Sequence, residues 1–238
     1  VYKRQILRRL AHQMRTGEAL PSKEIELKEV FTQPIWVRFQ LAMEAESSRS
    51  LVRSETIYRS ILEEVPDHPW IHARLGNVYA DLDQLERSQQ HHAHFLKIYP
   101  NAVWGNFRLA VLKTLQQEEP EAIRLYQQVL SLKPDHAASL NNLAWTFLTS
   151  GDPKLRNTSK ALSMAQKAVS LQASVDHLDT LAEAYFQSGQ PIEAIQTIRR
   201  AILITPLDSD RYPYLLKQFN RFRQGDTNSA PSSLSSAS

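Results

Sequence analysis

The 238-residue chain contains no cysteine. That excludes disulfides, Cys-ligated zinc and c-type haem attachment. It leaves the compartment open between cytoplasm and periplasm, because a cysteine-free protein works in either redox environment. Glycine is scarce too, at six residues, and none forms a Gly-rich phosphate loop. With no H-E-x-x-H and no G-x-S-x-G pattern either, the chain lacks the motifs of a catalytic centre, and neither catalysis nor a cofactor is expected. No stretch approaches the roughly eighteen consecutive apolar residues that a membrane span needs.

Excess charge of one sign is also missing. The net charge is +3 and the pI about 9.1. Residues 35–208 hold 17 Lys and Arg against 19 Asp and Glu, whereas residues 1–34 contribute +3 and residues 209–238 contribute +2. The basicity lies in the flanks. A protein gripping phosphates along its body needs positive charge there, so this distribution argues against nucleic acid.

What the chain does have is a period. Trp36, Trp70 and Trp104 are spaced 34 residues apart, and Pro66, Pro100 and Pro134 keep the same interval. Laid out on it, the sequence divides into 35–68, 69–102, 103–136, a longer unit 137–174, and 175–208. In the third unit Trp104, Phe107, Val111, Leu112 and Leu115 recur at the three- and four-residue steps of an amphipathic helix, as do Ile123, Tyr126, Val129 and Leu130 after it. Glu118-Glu119-Pro120 and Ser188-Gly189-Gln190-Pro191 fall between such stretches, where one helix ends and the next opens. Small residues at Gly76, Ala110, Ala144 and Ala182 mark where the two helices of a unit approach closely.

The second unit reads Leu75-Gly76-x-x-Tyr79, then Ser88 and Pro100. The third has Leu109-Ala110, Ala122, Tyr126 and Pro134, and the fifth has Leu181-Ala182-x-x-Tyr185, Ala194, Ala201 and Pro206. These series resemble the tetratricopeptide repeat, a 34-residue helix–turn–helix. The resemblance implies an all-α, right-handed superhelical solenoid, in which five repeats are closed by a capping helix over 209–224. That last helix is expected to place Tyr214, Leu215, Phe219 and Phe222 inside and Lys217, Arg221 and Arg223 outside.

Two units depart from the pattern. The first carries Ala42 and Ala45 where the family has Gly and an aromatic. The fourth has about five extra residues in its turn, Ser150 to Asn157, and no closing proline, but regains small residues at Ala161, Ala165 and Ala168. An extended turn of this kind is similar to one in many bacterial members, and is expected to be a solvent-exposed insertion. Val1 is not an initiator methionine, so the chain is expected to be a C-terminal fragment of a longer protein. Residues 1–34 are expected to form a helical linker segment, with Ile6, Leu7, Leu10 and Met14 on one side of a helix over Ile6–Gly17. From Gly225 onward serine fills six of fourteen positions and no periodicity remains, so disorder is expected over 225–238. His91 and His94, three apart, share a helix face but lack the further ligands of a metal site, and His92 falls in an interhelical slot.

In this family the first helices line a concave groove, and their second, fifth, sixth and ninth places face into it. Those places hold Trp36, Phe39, Gln40 and Met43; Trp70, Ala73, Arg74 and Asn77; and Trp104, Phe107, Arg108 and Val111. The fourth unit supplies Asn141, Asn142 and Trp145, and the fifth Asp176, Asp179 and Glu183. The resemblance therefore implies a protein-interaction scaffold with an aromatic, arginine-bearing groove that turns acidic at its end. A peptide with apolar anchors and an acidic group suits the first part. Alternatively, the tryptophans wedge between repeats and the arginines pair with neighbouring carboxylates. Arg74, Arg108 and Asn142 match part of the family's clamp for C-terminal carboxylates, but no lysine lines the early groove, so that ligand is not carried over. A different class of role is the regulatory or substrate-docking region of a larger enzyme or secretion component.

Overall fold

Proline is tolerated where a helix has no backbone acceptor to lose, and Pro69 and Pro191 each occupy the first position of a helix. Side chains cap other starts. His136 Nδ1, Asn157 Oδ1 and Ser174 Oγ each accept a backbone N–H three residues on, at 3.2, 2.9 and 3.2 Å. The computed structural model describes residues 30–225, and among them all eleven regular elements it resolves are helices. The helix expected over Ile6–Gly17 and the tail beyond Gly225 lie outside the described residues.

The chain forms two compact bodies, divided after Pro66. The first contains α1 (Ile35–Ser47) paired with α2 (Leu51–Glu64). The second contains the pairs α3 (Pro69–Asp81) with α4 (Leu85–Ile98), α5 (Val103–Leu115) with α6 (Glu119–Leu132), α7 (Ala137–Thr149) with α8 (Thr158–Leu171), and α9 (Val175–Gln187) with α10 (Pro191–Ile204). A final helix, α11 (Arg211–Gln224), packs on α10 and ends at Gly225 in the left-handed region, φ 68°.

Turns within the pairs follow one geometry. Arg49, Asp83, Gln117 and Gly189 take positive φ of 59, 59, 61 and 73°. In each turn the next residue's N–H reaches back five residues, as in Gln84 to the Tyr79 carbonyl at 2.8 Å and Glu118 to that of Lys113 at 2.9 Å. This is a Schellman closure, which favours glycine at the left-handed position. Three of the four turns are made without it. Gln117→Gly should therefore raise stability by about 0.5–1 kcal/mol, checked as a rise in the denaturation midpoint.

Packing within each pair repeats small residues on both helices. Ala42, Gly76, Ala110, Ala144 and Ala182 are buried in the first helices. Opposite them Ser54, Ser88, Ala122, Ala161 and Ala194 are fully buried. The neighbouring slot on each second helix holds Tyr58, His92, Tyr126, Ala165 and Ile198, again buried. Where the first helix offers glycine, Ser88 Oγ donates to the Gly76 carbonyl at 2.6 Å. The longer fourth turn is tied down: Ser150 is buried and donates to Glu119 Oε2 at 2.5 Å, and Arg156 Nε donates to the Ser150 carbonyl at 2.7 Å. Gly151 to Lys154 are exposed, while Leu155 joins the core.

Candidate functional site

The first turns of α3 and α5 carry Trp70 and Trp104, and both meet Phe95 of α4. Trp70 lies 5.5 Å from the Phe95 ring and 6.0 Å from Tyr99, while Trp104 stands edge-on to Phe95 at 5.8 Å and to His92 at 5.5 Å. Each tryptophan thus packs on the inner face of the cluster and presents the rest to solvent, with 56% of Trp70 and 38% of Trp104 exposed. Tyr99 is exposed as well and extends the patch. It follows the second helix and holds no place in the groove pattern, so first-helix spacing did not find it.

One turn further along these helices stand the arginines. Arg74 is half-buried and already engaged. Arg108 is half-buried and forms no hydrogen bond or ion pair among the described residues. Its charge, after desolvation, helps hold the His92 imidazole down to about 3. Asn77 is half-buried with its Oδ1 unpartnered. Val111 and Phe107 are half-buried, Phe107 lying between the rings of Tyr126 at 6.2 Å and His136 at 4.9 Å.

Asn142 is structural in part, since its Nδ2 donates to the Tyr126 hydroxyl at 3.2 Å, and that hydroxyl meets Thr114 Oγ1 at 3.1 Å. Asn141 is buried with an unpartnered Oδ1, and Trp145 is half-buried. In the first body Trp36 and Met43 are exposed and Phe39 is half-buried against Tyr58, at 6.0 Å. Arg38 of that body, absent from the groove pattern, is buried; it donates to the Ser60 carbonyl at 3.0 Å and pairs with Glu64.

Asp179 and Glu183 lie in a different setting from an open acidic groove. Both are buried, covered by α11. Glu183 pairs with Arg221, and Asp179 has Arg211 at 3.5 Å. The expectation that Arg221 points outward from the last helix is overturned: it is buried, with its guanidinium 5.1 Å from the Phe186 ring and 4.8 Å from Phe222. The carboxylates of α9 draw it inward.

His91 and His94 share a face of α4 as their spacing suggests. His72 of α3 joins them, its Nδ1 2.9 Å from His91 Nδ1 and its ring stacked on His94 at 3.7 Å. Burial first, then the neighbouring His72, His94 and Arg87, lowers His91 to about 4. Among the described residues no three His, Cys, Asp or Glu side chains are arranged to hold a metal ion. His92 fills its interhelical slot, against Gly76 and Trp104.

No helix among the described residues is long and apolar enough to cross a membrane. A family model for the tetratricopeptide repeat matches residues 178–206, covering most of the α9–α10 pair. Tetratricopeptide repeat protein 21A of Mus musculus is 29% identical over 145 residues, which are 60% of this chain and 11% of that protein. The chain thus spans about a tenth of the length of that relative. Among solved structures, a tetratricopeptide repeat protein from Parabacteroides merdae aligns with TM-score 0.66 and 16% identity, over 80% of this chain and 73% of that one. TTC0263 of Thermus thermophilus aligns with TM-score 0.58 and 15% identity, over 81% and 98%. YrrB, a protein of the same repeats with an unusual peptide-binding site, gives TM-score 0.58 and 15% identity over 74% and 88%. The 34-residue register, the consecutive helix pairs and these likenesses agree: the chain is an all-helical repeat protein, similar in fold to tetratricopeptide-repeat proteins and matching that repeat over residues 178–206.

Proposed function

We propose that the chain is an interaction scaffold that binds an extended or helical peptide along the first helices of its second body. The observation that carries this reading is the half-exposed aromatic cluster of Trp70, Tyr99 and Trp104 beside Arg108, a cation with no hydrogen-bond or ion-pair partner among the described residues. Aromatic faces supply contact area at low entropic cost, and a guanidinium favours a carboxylate. A peptide with apolar anchors and an acidic residue fits both. Phe107, Val111, Asn77 and Arg74 continue the surface, with Asn141, Asn142 and Trp145 beyond them, and Trp36, Phe39 and Met43 supply the equivalent face of the first body. A similar protein of known structure, YrrB, carries a peptide-binding site, which supports the general reading. A second reading, that these repeats dock substrates or regulators for a larger enzyme or assembly component, is favoured by the far greater length of the mouse relative.

Selection from a displayed library of random peptides tests the scaffold reading. Enriched peptides should pair an acidic residue with apolar anchors. Arg108→Ala should weaken their binding by about 1–3 kcal/mol and leave the melting temperature unchanged, since no ion pair is lost in the free protein. Higher salt should weaken binding only in part, because the tryptophan contacts are insensitive to screening. If Arg108→Ala binds selected peptides as tightly as the parent, the arginine is not part of the site.

A further inference from the structure

The interface between α9 and α11 holds more carboxylates than cations. Asp176, Asp179 and Glu183 recur at three- and four-residue steps, on one face of α9. Opposing them from α11 are two guanidiniums. Arg211 donates to Asp176 at 2.5 Å, and Arg221 pairs with Glu183, whose other oxygen accepts from Gln187 at 2.7 Å. Asp179 is left over. It is buried, 3.5 Å from an arginine already engaged by Asp176, and hydrogen-bonded to the Tyr214 hydroxyl.

Nothing from the other neighbouring elements balances it. α7 carries no ionisable side chain. On α8, Lys160 is exposed and Lys167 is tied to the Pro134 carbonyl at 2.8 Å. On α10, Glu193, Arg199 and Arg200 are exposed. His177 of α9 faces the Gln172 carbonyl at 2.6 Å.

We propose that α11 is a proton-dependent latch on α9: with Asp179 protonated the helix docks as a charge-balanced pair of ion bridges, and with Asp179 ionised the uncompensated carboxylate loosens it. Burial is the largest influence on Asp179 and raises it from its ordinary 3.8 to about 7, against the opposing pull of Arg211 and Tyr214. When α11 lifts, water reaches Asp179 and its ordinary value returns. The closed form therefore holds one proton more than the open form between about pH 4 and pH 7. Docking is strongest in acid, is lost progressively as pH rises through that window, and is constant above it. Opening uncovers the acidic face of α9.

Hydrogen exchange along α11 in the full chain, corrected for the intrinsic pH dependence of amide exchange, tests the latch. Its opening constant should rise about tenfold per pH unit from pH 5 toward pH 7 and then level off. Asp179→Asn, neutral at every pH, should abolish this slope and hold α11 about tenfold more protected than the parent already at pH 5. Glu183→Gln strands Arg221, so it should lower protection at every pH while retaining the slope. A flat profile in the parent chain, a slope that survives in Asp179→Asn, or a slope abolished by Glu183→Gln would each overturn the proposal.

Discussion

Replacing Gly76 with leucine should destabilise the second body by about 3 kcal/mol or more, toward the top of the range for overpacked cores. A single added Cβ would already sit 2.6 Å from His92 Nε2 and within 2.8 Å of two ring carbons. The ring is buried, with the edge of Trp104 beside it, so it has no free direction in which to yield. Backbone movement would strain the bond from Ser88 to the Gly76 carbonyl. Thermal unfolding followed by the helical signal reads this directly. A midpoint equal to that of the parent would mean that α3 and α4 do not cross at Gly76.

The second large effect is acid sensitivity, and it starts from the same pair. Burial, Arg108 and His91 hold His92 near 3, whereas an ordinary histidine titrates at 6.5. The unfolded chain therefore takes up a proton that the folded chain refuses. The His92 contribution to stability should be constant above about pH 6.5 and fall as pH falls toward 3, by about 2 kcal/mol at pH 5, opposite in sign to the contribution of Asp179. His91, lowered to about 4 by burial and by its imidazole neighbours, adds in the same direction. His92→Phe should remove about half of this loss at pH 5. At neutral pH it forfeits no hydrogen bond at Nδ1, and its cost is that of fitting a larger ring against Gly76 and Trp104. Denaturant titrations of the parent and His92→Phe at pH 7 and pH 5 check both statements, and a stability difference between the two chains that does not change with pH would contradict them.

The fold was legible because its rule is periodic. One side chain in 34 suffices to set the register, and Gly76, Ala110, Ala144 and Ala182 could be read as crossing points without knowing what faced them. Other features were hidden for physical reasons. Asp83 and Gln117 make left-handed turns that glycine would have advertised, and the backbone closure overrides their preference. Groove places are a statement about which way a helix face points, not about what covers it. Trp70 and Trp104 stay partly open because they lean on Phe95, whereas Asp179 and Glu183 stand at equivalent places and vanish beneath α11. A lone pattern of charge on α11 could not reveal that Arg221 turns inward, since its partner lies 38 residues away. Tyr99 and His72 join their clusters only once α3 and α4 are paired.

The scaffold reading is tested most directly by the footprint of a selected peptide. Hydrogen exchange of the chain with and without saturating peptide should slow in α3 and α5, with α4 protected only near Phe95 and Tyr99, and should leave α6, α8 and α10 unchanged. Slowing confined to the second helices or to α11 would contradict the account and place the binding surface elsewhere.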